Sequence, residues 1–146
     1  MYKIVFVIIF STVLWLGTDK MAINFANNSG APSKIAMQKI DLGLFLQLIR
    51  EGDIVIIDMR SVQDYEHFHI KDALGLYSQK TENEKEKFRE KLNTTRYIIL
   101  YSNEGIEGKM QQYAETLFSQ GRNNVFIYAG GFNEWSAAGL PVERID

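Results

Sequence analysis

Three short stretches, residues 53–58 (DIVIID), 97–101 (YIILY) and 125–128 (VFIY), are apolar at nearly every position and rich in β-branched and aromatic side chains. A strand with one face in water alternates apolar and polar residues; these do not, so each must be covered on both faces. That requirement admits few architectures. Segments with helical periodicity lie between and around the three runs, and strands alternating with helices predict an α/β domain, a mostly parallel central sheet with helices on both faces.

The helical segments are read from periodicity and caps. Asp41 is placed to cap a helix over residues 42–51, whose Leu42, Phe45, Leu46 and Ile49 share one face and which Gly52 terminates. A short capped turn of helix is predicted at 61–66 and a short strand at 73–77. Residues 80–93 (KTENEKEKFREKLN) interleave Glu and Lys at helical spacing around a narrow seam of Phe88 and Leu92, the pattern of a solvated surface helix. A helix over 109–120 turns Met110, Tyr113, Ala114 and Leu117 inward and stops at Gly121; a last short helix, 132–138, ends at Gly139 and Pro141.

The N-terminal region is of another kind. After Lys3, residues 4–17 (IVFVIIFSTVLWLG) carry no charge, and Asp19 and Lys20 follow. As a helix this run would extend roughly 21 Å, short of the ~30 Å hydrocarbon core of a bilayer. Residues 1–22 therefore read as a signal peptide, with an uncleaved membrane anchor through residues 4–17 as the alternative. The basic n-region places the N-terminus inside and the domain outside, so the expected location is periplasmic, or anchored in the inner membrane facing the periplasm. Residues 23–35, rich in Asn, Ser, Gly and Pro, read as a linker, and residues 36–146 as the folded domain.

Composition excludes several classes. Sixteen Lys and Arg stand against 18 Asp and Glu, a net charge of −2 without a basic cluster, which argues against a nucleic-acid partner. The chain has no cysteine, hence no disulfide, no thiolate metal site and no thiol chemistry of its own. His67 and His69 lack a third ligand for zinc; no metal or other cofactor is expected, with His67 read as a surface residue and His69 as a structural one.

Candidate chemistry gathers where the run 97–101 ends. Ser102 opens a loop, Asn103, Glu104, Gly105, Ile106, Glu107, Gly108, ahead of a helix, a layout suited to holding an anion on backbone N–H groups. In open α/β sheets ligands sit at the carboxyl ends of strands, as Ser102 does. Glu104 and Glu107 oppose such an anion, so small oxyanions are expected to bind poorly. Ser102 is read as a cap or pocket filler rather than a nucleophile, because no base is visible within its reach.

Four motifs together resemble the rhodanese-like domain over about residues 36–143: IVIIDMR (54–60), DYEHFHI (64–70) with Ala73, IILYS with Gly105, and NVFIYAGGFNEWSAAGLPV (124–142). The resemblance implies a cysteine at the Ser102 position that attacks a sulfane sulfur and carries it as a persulfide, with an Arg common at the Glu107 position. Ser102 and Glu107 remove both. It further implies structural roles for Asp58 and Arg60 as a buried pair, for His69, and for Gly130, Gly131 and Trp135 in the C-terminal signature. One departure lies at Phe68-His69-Ile70-Lys71-Asp72-Ala73, where the family has Gly-His-Ile-Pro-Gly-Ala. The expectation is an exported, catalytically inactive domain that binds a protein partner. The alternatives are an enzyme of another class using Ser102, and a sulfur-metabolism accessory whose partner supplies the thiol.

Overall fold

The computed structural model describes residues 38–103 and 107–145. The signal or anchor segment, the linker, and Glu104, Gly105 and Ile106 lie outside the described residues. In chain order the elements are β1 (Gln38–Ile40), α1 (Leu42–Glu51), β2 (Ile54–Asp58), α2 (Val62–His67), β3 (His69–Ile70), β4 (Leu74–Gly75), α3 (Glu82–Thr94), β5 (Tyr97–Tyr101), α4 (Glu107–Ser119), β6 (Val125–Tyr128), α5 (Gly131–Ala137) and β7 (Val142–Glu143).

The three apolar runs become β2, β5 and β6, neighbours in a five-stranded sheet of order β1-β6-β5-β2-β4 whose pairings are all parallel. Side chains alternate across it into two layers. Phe45, Ile56, Ile99, Tyr101, Phe126, Tyr128 and Trp135 pack under α1 and α5; Val55, Ile57, Ile98, Leu100, Met110, Ala114 and Leu117 pack under α3 and α4. Each buried aliphatic or aromatic side chain contributes on the order of 1.5–3 kcal/mol, so the two layers are the main source of stability.

Local signals act as the residues dictate. The Asp41 carboxylate accepts the Leu44 N–H at 2.8 Å, Ser61 caps α2, and Thr81 with Glu84 forms a reciprocal capping box on α3. The expected face of α1 packs on the core, with Phe45 buried and Leu42, Leu46 and Ile49 partly buried against the layer, and the buried Leu48 joins it. The strand expected over 73–77 reduces to Leu74–Gly75, because the chain turns away once the Leu76 N–H has bonded the Asp58 carbonyl at 2.8 Å. α4 begins at Glu107 rather than near Lys109.

A two-stranded antiparallel ribbon, β3 with β7, lies outside the main sheet. It joins the departure from the family pattern to the C-terminal segment. The Ala73 N–H bonds the Ile70 carbonyl at 2.9 Å, closing a turn over Lys71 and Asp72, and Asp72 sits at φ 62°, a conformation that glycine adopts without strain. Lys71 N–H bonds the Pro141 carbonyl and Asp72 N–H the Glu143 carboxylate, both from the C-terminal side. The turn therefore keeps its geometry with a non-glycine residue held in it from outside.

Asp72→Gly is expected to raise stability by about 0.5–1 kcal/mol and Asp72→Val to lower it by about 1–2 kcal/mol. Denaturant midpoints check both; three equal midpoints would show that the turn is not held in the left-handed region.

Candidate functional site

The carboxyl ends of β2, β5 and β6 converge on one region, because parallel strands in register deliver their last residues to the same edge. β2 ends in Asp58 and leads to Met59 and Arg60; β5 ends in Tyr101 and leads to Ser102; β6 leads through Ala129 to Gly130 and Gly131. Asp58 and Tyr101 are register partners, so both side chains fall on the α1/α5 face.

Asp58 is the centre of this region. It is 1% exposed, and its carboxylate meets four donors: Arg60 Nε at 3.0 Å from both oxygens, Arg60 Nη2 at 2.6 Å, the Arg60 N–H at 2.8 Å, and the Tyr101 hydroxyl at 2.5 Å. Arg60 Nη2 donates also to the Phe68 carbonyl at 2.6 Å, and the Tyr101 oxygen accepts the Ile70 N–H at 3.1 Å. The guanidinium carbon lies 4.0 Å from the centroid of the Phe132 ring. One charge pair thus ties together β2, β3, β5, the end of α2 and α5. A buried pair is tolerable only when its remaining donors and acceptors are met, and here they are. Burial opposes the charge on Arg60, but the hydrogen bonds and charge of Asp58 prevail and hold its pKa above the ordinary value. The Tyr101 hydroxyl is driven far above its ordinary value, first by burial and then by the Asp58 charge.

Ser102 follows this network directly and is 3% exposed. Its carbonyl accepts the Phe132 N–H at 3.2 Å from the first turn of α5. Gly131 makes that approach feasible. Its φ is 59°, and a Cβ there would overlap the Ser102 carbonyl oxygen. The atoms nearest a Cβ at Gly130 belong to the Glu134 side chain rather than to backbone, and that side chain would have to shift and give up the bond its carboxylate accepts from the Tyr128 hydroxyl. Two adjacent glycines therefore have unequal work, and Gly131 is the one that seats α5 against the Ser102 backbone.

The capping role expected for Ser102 falls on residues 104–106, which lie outside the described residues. Glu107 and Gly108 are exposed in the first turn of α4, where a carboxylate is favoured by the helix dipole. The Asn103 side-chain oxygen is buried without a hydrogen-bond partner.

His69 is buried, with Nδ1 2.8 Å from the Tyr65 carbonyl, its ring stacked on Tyr65, and Nε2 3.9 Å from the Glu143 carboxylate. His67 is exposed at the end of α2 and His69 begins β3, so the two do not share a strand face. Among the described residues no group of three metal-ligating side chains assembles. Trp135 is buried against Phe45 and its Nε1 donates to the Pro141 carbonyl at 2.9 Å. Tyr101, Phe132 and Tyr65 were not singled out in the sequence as site residues.

The model of the rhodanese-like domain family matches residues 41–138. The chain belongs to this family. A thiosulfate sulfurtransferase GlpE of Coxiella burnetii is 34% identical over 91 residues, 62% of this chain and 79% of the relative. Among solved structures, the Alr3790 protein of Anabaena sp. superposes with a TM-score of 0.53 at 24% identity, covering 73% of this chain and 80% of that one. The thiosulfate sulfurtransferase of Pseudomonas aeruginosa gives 0.57 at 24% identity, with 80% of this chain matching 21% of that one. The rhodanese-like scaffold is thus present, while the chain has no cysteine.

Gly131→Ala should destabilise the domain by about 3 kcal/mol or more, and Gly130→Ala by about 1 kcal/mol or less. Equal losses on chemical denaturation would refute the seating role of Gly131. A second expectation concerns alkaline pH. Because the folded-state value of Tyr101 lies above the ordinary value of about 10, its contribution is fully present below about pH 10 and is lost as pH rises beyond it. Tyr101→Phe should therefore lose stability less steeply than wild type above pH ~10, and parallel pH profiles would contradict this.

Proposed function

We propose that this rhodanese-like domain is catalytically silent, is exported, and works as a binding module for a protein partner. One observation carries the reading: the residue at the end of β5 that begins the active-site loop is Ser102, in a chain without any cysteine. Sulfur transfer in this family needs a thiolate that attacks the sulfane sulfur, forming an S–S bond as the donor's S–S bond breaks and sulfite leaves. A serine hydroxyl is less acidic and cannot hold sulfur as a persulfide.

Among the described residues no activating base compensates. Both ring nitrogens of His69 are directed to the Tyr65 carbonyl and toward Glu143, and His67 is exposed on the far end of α2. The carboxylates of the loop disfavour an oxyanionic donor, in contrast to the Arg common at the Glu107 position in the family. What is retained is structural: the Asp58–Arg60–Tyr101 network and the Gly131 contact hold the loop's flanks in place without a reacting group. A retained scaffold without its nucleophile supports recognition rather than turnover.

Export rests on the uncharged run at 4–17 behind Lys3 and the polar linker after it. Among the described residues no helix is long and apolar enough to cross a membrane, so any anchoring falls to that run. The domain faces the periplasm, either released or held at the inner membrane.

The purified protein is expected to give no thiocyanate from thiosulfate and cyanide above the buffer rate. Thiocyanate formation proportional to protein concentration would overturn the silent reading. Alkaline phosphatase fused after residue 146 is expected to be active in a bacterial host and to lose activity when residues 1–22 are deleted; equal activity with and without them would overturn export.

A further inference from the structure

The edge of β2 is only half covered. β4 pairs with its last two residues, Ile57 and Asp58, and ends there. Backbone direction alternates along the strand: the Asp53 carbonyl and Met59 N–H bond to β5, whereas the Asp58 carbonyl turns the other way and accepts from Leu76. By the same alternation Ile54 and Ile56 face the β4 side. Among the described residues no strand lies beside the edge along which the Ile54 N–H and C=O and the Ile56 N–H point. Open edges of this kind pair readily with another chain.

A groove of about 1140 Å³ runs along this open edge. One wall, on the α1/α5 face, is apolar, with Leu46, Trp135 and Leu140. The other is the side of α3, where Lys87 and Lys91 flank Phe88. Neither lysine forms an ion pair with a described residue, whereas Lys85 of the same helix pairs with Glu82. The carboxylates on the rim are Asp53, Glu66, Asp72 and Glu84; Glu66 is paired with Lys80, Glu84 accepts N–H groups of the α3 cap, and Asp53 accepts the Arg96 N–H. On the α3 wall Lys87 and Lys91 stand against Glu84 alone, which leaves that wall with a net positive charge.

We propose that this edge binds an extended segment of a partner protein, added as a strand beside Ile54–Ile56, with apolar and acidic residues in alternation. Successive side chains of an added strand point to opposite sheet faces. One set would meet Leu46, Trp135 and Leu140; the other would meet Phe88 between the two free ammonium groups. Backbone pairing supplies affinity, and the unlike walls select the pattern. The groove lies at the amino-terminal half of β2, away from Ser102, so the proposal holds whether or not that loop is silent.

The test uses the full chain and a fluorescein-labelled heptapeptide alternating Val and Glu, with a Val and Lys heptapeptide as control. The account expects saturable anisotropy for the Val/Glu peptide alone and about tenfold slower hydrogen exchange at the Ile54 and Ile56 amides. It also expects roughly tenfold weaker binding in Lys87→Glu with Lys91→Glu, two exposed changes that leave the core untouched. The proposal is overturned by no saturable binding, by equal binding of both peptides, or by binding that leaves those two amides unprotected. Occupation of the groove by dodecanoate in place of the Val/Glu peptide would equally overturn it, assigning the site to a small amphiphile.

Discussion

The carboxylate of Asp58 is the point on which the carboxyl end of this sheet depends. It is nearly inaccessible to water, and an unpaired charge there would cost several kcal/mol. Every element that reaches it does so as a donor or as the holder of a donor: Arg60 from the chain just after β2, Tyr101 from β5, and, through these two, Phe68 and Ile70 on either side of His69. The stacking of Phe132 on the guanidinium brings α5 into the same assembly. Such a network resists partial dismantling, because removing one partner leaves the others buried and unsatisfied. This physical coupling keeps the flanks of the Ser102 loop in place whether or not chemistry takes place there.

Much of the architecture was legible because two-faced burial leaves a plain mark. β2, β5 and β6 have continuous apolar sequences, and no other arrangement covers three such runs as readily as a parallel sheet between helices. β1, β3 and β7 were not legible. Each is two or three residues long, shorter than any period that distinguishes a strand, and each exists through its partner: β1 on β6, β3 and β7 on each other. The inward face of α1 was legible apart from Leu48, for a related reason. Leu42, Leu44, Leu46, Leu48 and Ile49 offer more apolar positions than one stripe can bury, and only packing against the sheet selects Phe45 and Leu48.

At the site the same division holds. Asp58 and Arg60 were legible as a buried pair through the resemblance to the family. Their third partner, Tyr101, was not, since a tyrosine in an apolar strand is ordinary until the register sets it level with Asp58. The turn at position 72, where the family has glycine, is held by hydrogen bonds that the Lys71 and Asp72 N–H groups donate to the Pro141 carbonyl and the Glu143 carboxylate, far along the chain, which no local pattern records.

We propose that the fold retains the frame of a sulfurtransferase site and lacks only the reacting group and its electrostatic support. Ser102→Cys combined with Glu107→Arg addresses this most directly, with intact mass measured after incubation with thiosulfate and again after cyanide. The account predicts that the double variant gains the mass of one sulfur atom and surrenders it to cyanide, while wild type gains none. A double variant that unfolds as cooperatively as wild type yet never takes up sulfur would contradict it, showing that the frame around position 102 is no longer that of a sulfurtransferase.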